Sequence, residues 1–165
     1  MDDLLLVRSK DMKTRTMVLS LALSLAAGAG CFAGSPQMGT WKLNETKSKI
    51  ASGISKNNTV VYAAAGDTVK VTVDGTDKTG KPTHNEWTGK FDGKDYAVTG
   101  DPTSDMRSYK TVDARTLELT VKKDGRVTSS GRIVVSANGK SRTVTTSGID
   151  PKGKKFSSVG VYDKQ

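Results

Sequence analysis

Cysteine occurs once in these 165 residues, at Cys31, and histidine once, at His84; proline appears four times and aromatic side chains make up 5%. With no second thiol the chain cannot close an internal disulfide, so its fold rests on burial and backbone pairing. Beyond residue 33 there are three glutamates, Glu45, Glu86 and Glu118, and the one histidine. That set is too small for the usual zinc centres or a histidine-centred triad, so no metal, cofactor or catalytic residue is expected. His84 stands two residues before Glu86, and the pair reads as a contact on the outer face of one strand. Asp residues fall singly at turns, which their turn chemistry already explains. Long apolar runs are scarce too. Only Met17 to Ala29 is uninterrupted, and it is shorter than the ~20 residues a spanning helix needs.

That run follows Lys13 and Arg15 and ends in small residues, Ala27-Gly28-Ala29 and Cys31-Phe32-Ala33. A basic start, a short apolar centre and small residues at the exit are the marks of a signal peptide. Residues 1–33 are therefore assigned to it, with Met12 as the expected true start because Asp2, Asp3 and Asp11 suit no working leader. Gly28 stands where a lipoprotein leader usually has Leu, so ordinary cleavage is expected over lipid anchoring at Cys31. The mature chain, 34–165, is expected in the periplasm or outside the cell, with no transmembrane segment of its own.

What the mature part does contain is a regular beat of turns. Asp124-Gly125, Asn138-Gly139 and Lys152-Gly153 are spaced fourteen residues apart, separated by runs rich in Val, Thr, Ile and Ser. Asp-Gly and Asn-Gly supply the positive φ that tight hairpins require, and the runs between suit strands of roughly 8–11 residues. Ten strands are expected, at 39–44, 58–63, 68–74, 83–90, 95–99, 106–113, 116–123, 126–137, 141–149 and 155–163. Val69/Val71/Val73, Leu117/Leu119/Val121 and Ile133/Val135 each place apolar residues on one face. Residues 83–90 read as an edge or a gap in the wall, and 48–55 as a short helix or a loop. Strands this long, joined by hairpins without helical crossovers, predict an up-and-down antiparallel β-barrel of eight to ten strands, one domain and monomeric.

The chain carries a formal charge of +9; removing four cations and three acids with the leader leaves the domain strongly basic. Such a field attracts anionic partners, outside the cytoplasm an envelope polymer or membrane surface rather than nucleic acid. Successive hairpins place Lys123 and Arg126, then Lys140, then Lys152 and Lys154 at alternate ends, so charge is expected to ring both mouths.

The first strand opens with Gly39-Thr40-Trp41-Lys42-Leu43 and the last closes with Val161-Tyr162-Asp163-Lys164. Both ends resemble the calycins, the first in its Gly-x-Trp element and the last in the closing strand of fatty-acid-binding proteins. The whole is similar to secreted bacterial lipocalin-like proteins. The resemblance implies a barrel holding a small, mostly apolar molecule, with Gly39 and Trp41 closing one end. Fatty-acid-binding proteins commonly carry an Arg two residues before the terminal Tyr, where the pair grips a carboxylate; Gly160 occupies that position here. Arg107 or Arg142 is expected to substitute from another strand. Trp87, Tyr96 and Tyr109 are the further candidates for lining a pocket. Tyr162 is in tension: the alternation of Val159 and Val161 turns it outward, whereas the resemblance turns it inward.

Two functions follow as expectations. One is a non-enzymatic barrel binding a small lipophilic, anionic molecule; the alternative is a basic interaction module for anionic envelope polymer or membrane.

Overall fold

A computed structural model describes residues 34–150 and 152–165; the expected signal peptide, its start at Met12 and Cys31 lie outside them. Ten strands follow one another: β1 (Gly39–Leu43), β2 (Lys56–Ala65), β3 (Thr68–Thr76), β4 (Pro82–Gly89), β5 (Tyr96–Thr99), β6 (Met106–Asp113), β7 (Thr116–Lys123), β8 (Arg126–Val135), β9 (Ser141–Ile149) and β10 (Lys155–Lys164). Every strand pairs antiparallel with its sequence neighbours, and β1 also pairs with β10 through Trp41↔Lys164, Lys42↔Asp163 and Leu43↔Tyr162. The sheet is thus a closed barrel. Closure removes the free edges that would otherwise invite pairing with other chains.

The turns behave as their composition requires. Lys123 pairs with Arg126 across a two-residue turn in which Asp124 has φ 49° and Gly125 φ 73°, the left-handed pair that matches the strands' own twist. The strand boundaries expected from the sequence hold to within two residues.

One local expectation needs correction, and for residues 48–55 the loop is the reading that holds. Residues 83–90 are no gap: β4 is paired with β3 from Val69↔Gly89 to Thr76↔Pro82. The thin place is β5, joined by two residue pairs to β4 and two to β6. There Trp87 on β4 donates its indole N–H to the Arg107 carbonyl on β6 at 2.8 Å, tying the strands on either side of β5 together. Residues 48–55 form no helix. A single 3-10 turn, Glu45–Lys47, precedes them, capped by the Asn44 side chain, and the chain then rejoins β10 through the Lys49↔Val159 bridge. Polar groups dominate here, and the turn buries nothing that could hold a longer helix.

An up-and-down barrel has two ends. The turns around residues 66–67, 90–95, 114–115 and 136–140 gather at one, together with the approach to β1; those at 44–55, 77–81, 100–105, 124–125 and 150–154 gather at the other. Inward-facing side chains are best buried near the first. Val69, Leu117, Val135 and Trp41 are all buried there, whereas Gly75, Val121, Ser129, Gly148 and Phe156 towards the second are half-exposed. The barrel is thus closed at the first end and less well covered on the β7–β10 side of the second, its open end, although Asn85, Ser104 and Arg107 on the β4–β6 side stay buried there.

Candidate ligand site in the barrel interior

The closed end is sealed by a side chain that composition alone does not flag. Gln37, 1% exposed, donates its amide to the Arg115 carbonyl at 2.9 Å, and its own carbonyl accepts the Trp41 indole N–H at 2.8 Å. Trp41 is completely buried and sits under this segment. Its indole N–H therefore has the partner a buried indole needs. Gly39, with φ 107°, stands at the start of the same strand.

The interior divides into two halves. On the β2–β6 side an aromatic cluster fills it: Tyr109 meets Trp87 edge-on at 4.8 Å between centroids, and Phe91, Tyr62 and Tyr96 pack around them. Tyr96 reaches the surface, where its hydroxyl donates to Asp92 at 3.0 Å. On the β7–β10 side the inward positions are smaller, among them Ser129, Gly131, Thr146, Gly148, Ser158 and Gly160. Ser129, Gly131, Thr146 and Gly148 are half-exposed, whereas Ser158 and Gly160 are buried.

On the same wall, nearer the closed end, lies Arg142, 2% exposed. Its guanidinium stands 4.9 Å from the Trp41 ring, 4.8 Å from Tyr62 and 5.1 Å from Tyr162. Among the described residues no carboxylate lies within 4 Å of it, and its Nε and Nη1 have no hydrogen-bond partner. Aromatic faces attract a cation, but they cannot accept directed N–H bonds as an oxyanion does. Arg142 is thus a buried charge with donors to spare.

Arg107, the other candidate, is satisfied. Its Nη2 donates to the Asn85 amide oxygen at 3.3 Å and lies 3.7 Å from the Asp101 carboxylate. Burial pushes the Asp101 carboxyl up, but hydrogen bonds from Ser104 and Thr103 and the Arg107 charge outweigh it and hold it below the usual carboxylate range. Asp101 is therefore ionised at neutral pH, and Arg107 has a built-in counter-ion.

The tension over Tyr162 is resolved inward. Tyr162 is 5% exposed and pairs directly with Arg142, while Val159 and Val161 turn to the outer side of β10. Apolar alternation misreads this strand for a physical reason. A Cβ added at Gly160 would come within 2.9 Å of the Tyr162 ring, so that ring already fills the space over the inward position before it.

Two neighbouring hydroxyls complete the site. Burial raises the Tyr62 hydroxyl well above the usual phenol value, repulsion from Tyr109 adds to this, and the Arg142 charge pulls the other way. Burial likewise raises Tyr162. Both phenols are neutral at ordinary pH, and the Tyr62 hydroxyl is already engaged with Tyr109 and Arg142. Sequence reasoning missed Tyr62 because Val60, Val61, Tyr62 and Ala63 are apolar on both faces of β2, leaving no alternation to read. It missed Gln37 because that residue precedes the first strand. Among the described residues, no group of three or more His, Cys, Asp or Glu is placed to hold a metal ion.

No protein-family model and no curated protein matches the chain. Among solved structures, that of EF1p2_mFAP2b bound to DFHBI is similar, at 13% identity over 79% of this chain and 94% of the other, with a TM-score of 0.45.

Proposed function

We propose that this barrel is a non-enzymatic carrier for a small lipophilic anion, exported to the periplasm or beyond, whose acidic group lies against Arg142 and whose apolar body runs along the β7–β10 wall towards the open mouth. One observation carries the reading: among the described residues, a buried guanidinium with two unpartnered nitrogens and no carboxylate beside it, on a wall whose inward positions become half-exposed towards the open mouth. An uncompensated buried charge is costly, and an incoming oxyanion is the group that relieves it. Tyr162 adds a neutral hydroxyl on the same strand pair, and the faces of Trp41, Tyr62 and Tyr162 hold the guanidinium in place. Arg107 does not compete, since Asp101 already neutralises it.

The test compares a medium-chain carboxylic acid with the alcohol of equal length by calorimetry or by displacement of an anionic fluorescent probe. The acid binds at least about tenfold more tightly, as a charge-assisted hydrogen bond contributes roughly 1.5–3 kcal/mol. Arg142→Gln erases that preference while leaving the alcohol's affinity nearly unchanged. Equal affinities for acid and alcohol in the unaltered protein would overturn the reading.

A further inference from the structure

The two ends of the barrel differ in charge as sharply as in closure. Segments 45–56, 77–81, 100–105, 122–126 and 150–155, all at the open end, hold eleven Lys and Arg against six Asp and Glu; 65–68, 89–96, 113–116, 135–141 and 163–165, at the closed end, hold five against five. Lys140 does lie at the opposite end from Lys123, Arg126, Lys152 and Lys154, as expected, but the excess of positive charge gathers at the open mouth instead of ringing both. Several acids at the open end are turned back into their own loops: Asp77 accepts from the Thr79 and Lys81 N–H groups, and Asp150 from those of Lys152 and Lys154. The lysines of those loops are left pointing away. Among the described residues, Lys78, Lys123, Arg126, Lys152 and Lys154 form no salt bridge.

Apolar groups accompany this charge. Val127 and Ile149, 56% and 51% exposed, lie on the adjacent strands β8 and β9 at the open rim. Across the mouth, Ile50 and Ile54 line a cleft of about 320 Å³ beside Lys56 and Lys78. Exposed aliphatics set among unpaired lysines fit a surface that is anionic outside and apolar just beneath. A soluble polysaccharide would satisfy the charge but offer nothing to the aliphatics.

We propose that the open mouth seats on an anionic lipid bilayer, its lysines at the headgroups and Val127 and Ile149 at the boundary with the acyl chains. This orientation turns the less well covered end of the barrel towards the membrane. The docking does not depend on the Arg142 reading, since neither Arg142 nor its aromatic neighbours take part in it.

The full chain is incubated with vesicles of 70% phosphatidylcholine and 30% phosphatidylglycerol, and with pure phosphatidylcholine, and bound protein is sedimented. The charge reversals K78E, K123E and K152E are made together at the open end, and K94E, R115E and K140E together at the closed end. Both triples change net charge equally and leave any contribution of the apolar run at residues 17–29 in place. Each basic residue near an anionic surface is worth about fivefold in affinity, so the open-end triple binds anionic vesicles at least ~100-fold more weakly and the closed-end triple less than about fivefold more weakly. Exchanging V127S and I149S together weakens binding to the same vesicles further, with no effect on retention by an anionic polysaccharide such as alginate. Equal losses in the two triples mean undirected attraction by net charge and overturn the proposal. So does equal binding to neutral vesicles. Alginate retention as strong as vesicle binding, and indifferent to V127S and I149S, assigns the mouth to polymer instead.

Discussion

Tyr162 stands directly opposite Arg142 in the β9–β10 ladder, with its ring 5.1 Å from the guanidinium and its edge over Gly160. The guanidinium beside Tyr162 therefore comes from the neighbouring strand, while Gly160, two residues before it, carries no side chain. A side chain at Gly160 and the inward ring of Tyr162 compete for the same volume.

Gly160→Ala tests that competition. Its Cβ would lie 2.9 Å from the Tyr162 ring, inside the distance real contacts allow. Overpacking of this kind costs about 1–3 kcal/mol, read as a lowered midpoint in thermal or denaturant unfolding. In the Tyr162→Leu background the penalty shrinks markedly, because the obstructing ring is gone. Additive effects of the two substitutions would remove the steric account.

Arg142 is expected to trade stability for binding. Replacing a buried, uncompensated charge by an apolar side chain of similar length is often stabilising by about 1–4 kcal/mol. Arg142→Met therefore raises the thermal midpoint of the ligand-free protein while losing the preference for acids. A fall in stability would instead mean that its three aromatic neighbours already satisfy the guanidinium.

Those two residues mark the boundary of what the sequence makes legible. Strand number, turn positions and closure could be read because Asp-Gly and Asn-Gly dictate backbone conformation locally, and Val69, Val71 and Val73 alternate against polar neighbours. All three valines are buried. The filling of the interior could not be read in the same way. Which face of β10 points inward depends on the volume Tyr162 takes above Gly160, and Arg142 becomes different from Arg107 only because Asp101 and Asn85 fold back beside the latter. Such contacts join residues far apart in the chain, and periodicity carries no information about them. Charge shows the same limit: the composition reports a basic domain, and only the meander sorts the excess to one end.

The closed end should be the most costly place to cut. Trp41 is fully buried, and its indole N–H holds the Gln37 carbonyl at 2.8 Å. Trp41→Ala loses about 3–5 kcal/mol in unfolding experiments. Trp41→Phe keeps most of the buried area but orphans that carbonyl, and falls between the two. An unaffected midpoint in Trp41→Ala would show that this end is not sealed by the indole.

His84 supplies a pH signature on the exposed outer wall. Its Nδ1 lies 2.7 Å from the Asp74 carboxylate, directly across the β3–β4 ladder, and its Nε2 3.7 Å from Glu86, which is itself paired with Lys70 at 2.7 Å. The hydrogen bond to Asp74 raises the imidazole above its usual value of 6.5, burial works weakly against it, and the charges of Asp74 and Glu86 add to it. A group whose affinity for protons is greater in the folded state stabilises the fold fully below its unfolded pKa and loses that contribution as pH rises through the folded one. The contribution of His84 is therefore present in mild acid and fades above pH 6.5. Nuclear magnetic resonance of the single imidazole should give a midpoint above 6.5 that Asp74→Asn moves down, and His84→Gln should flatten the corresponding slope of stability against pH. Because all these groups are exposed, raising the salt concentration shrinks both effects. A midpoint at or below 6.5 in the unaltered protein would break the assignment of Asp74 as the partner.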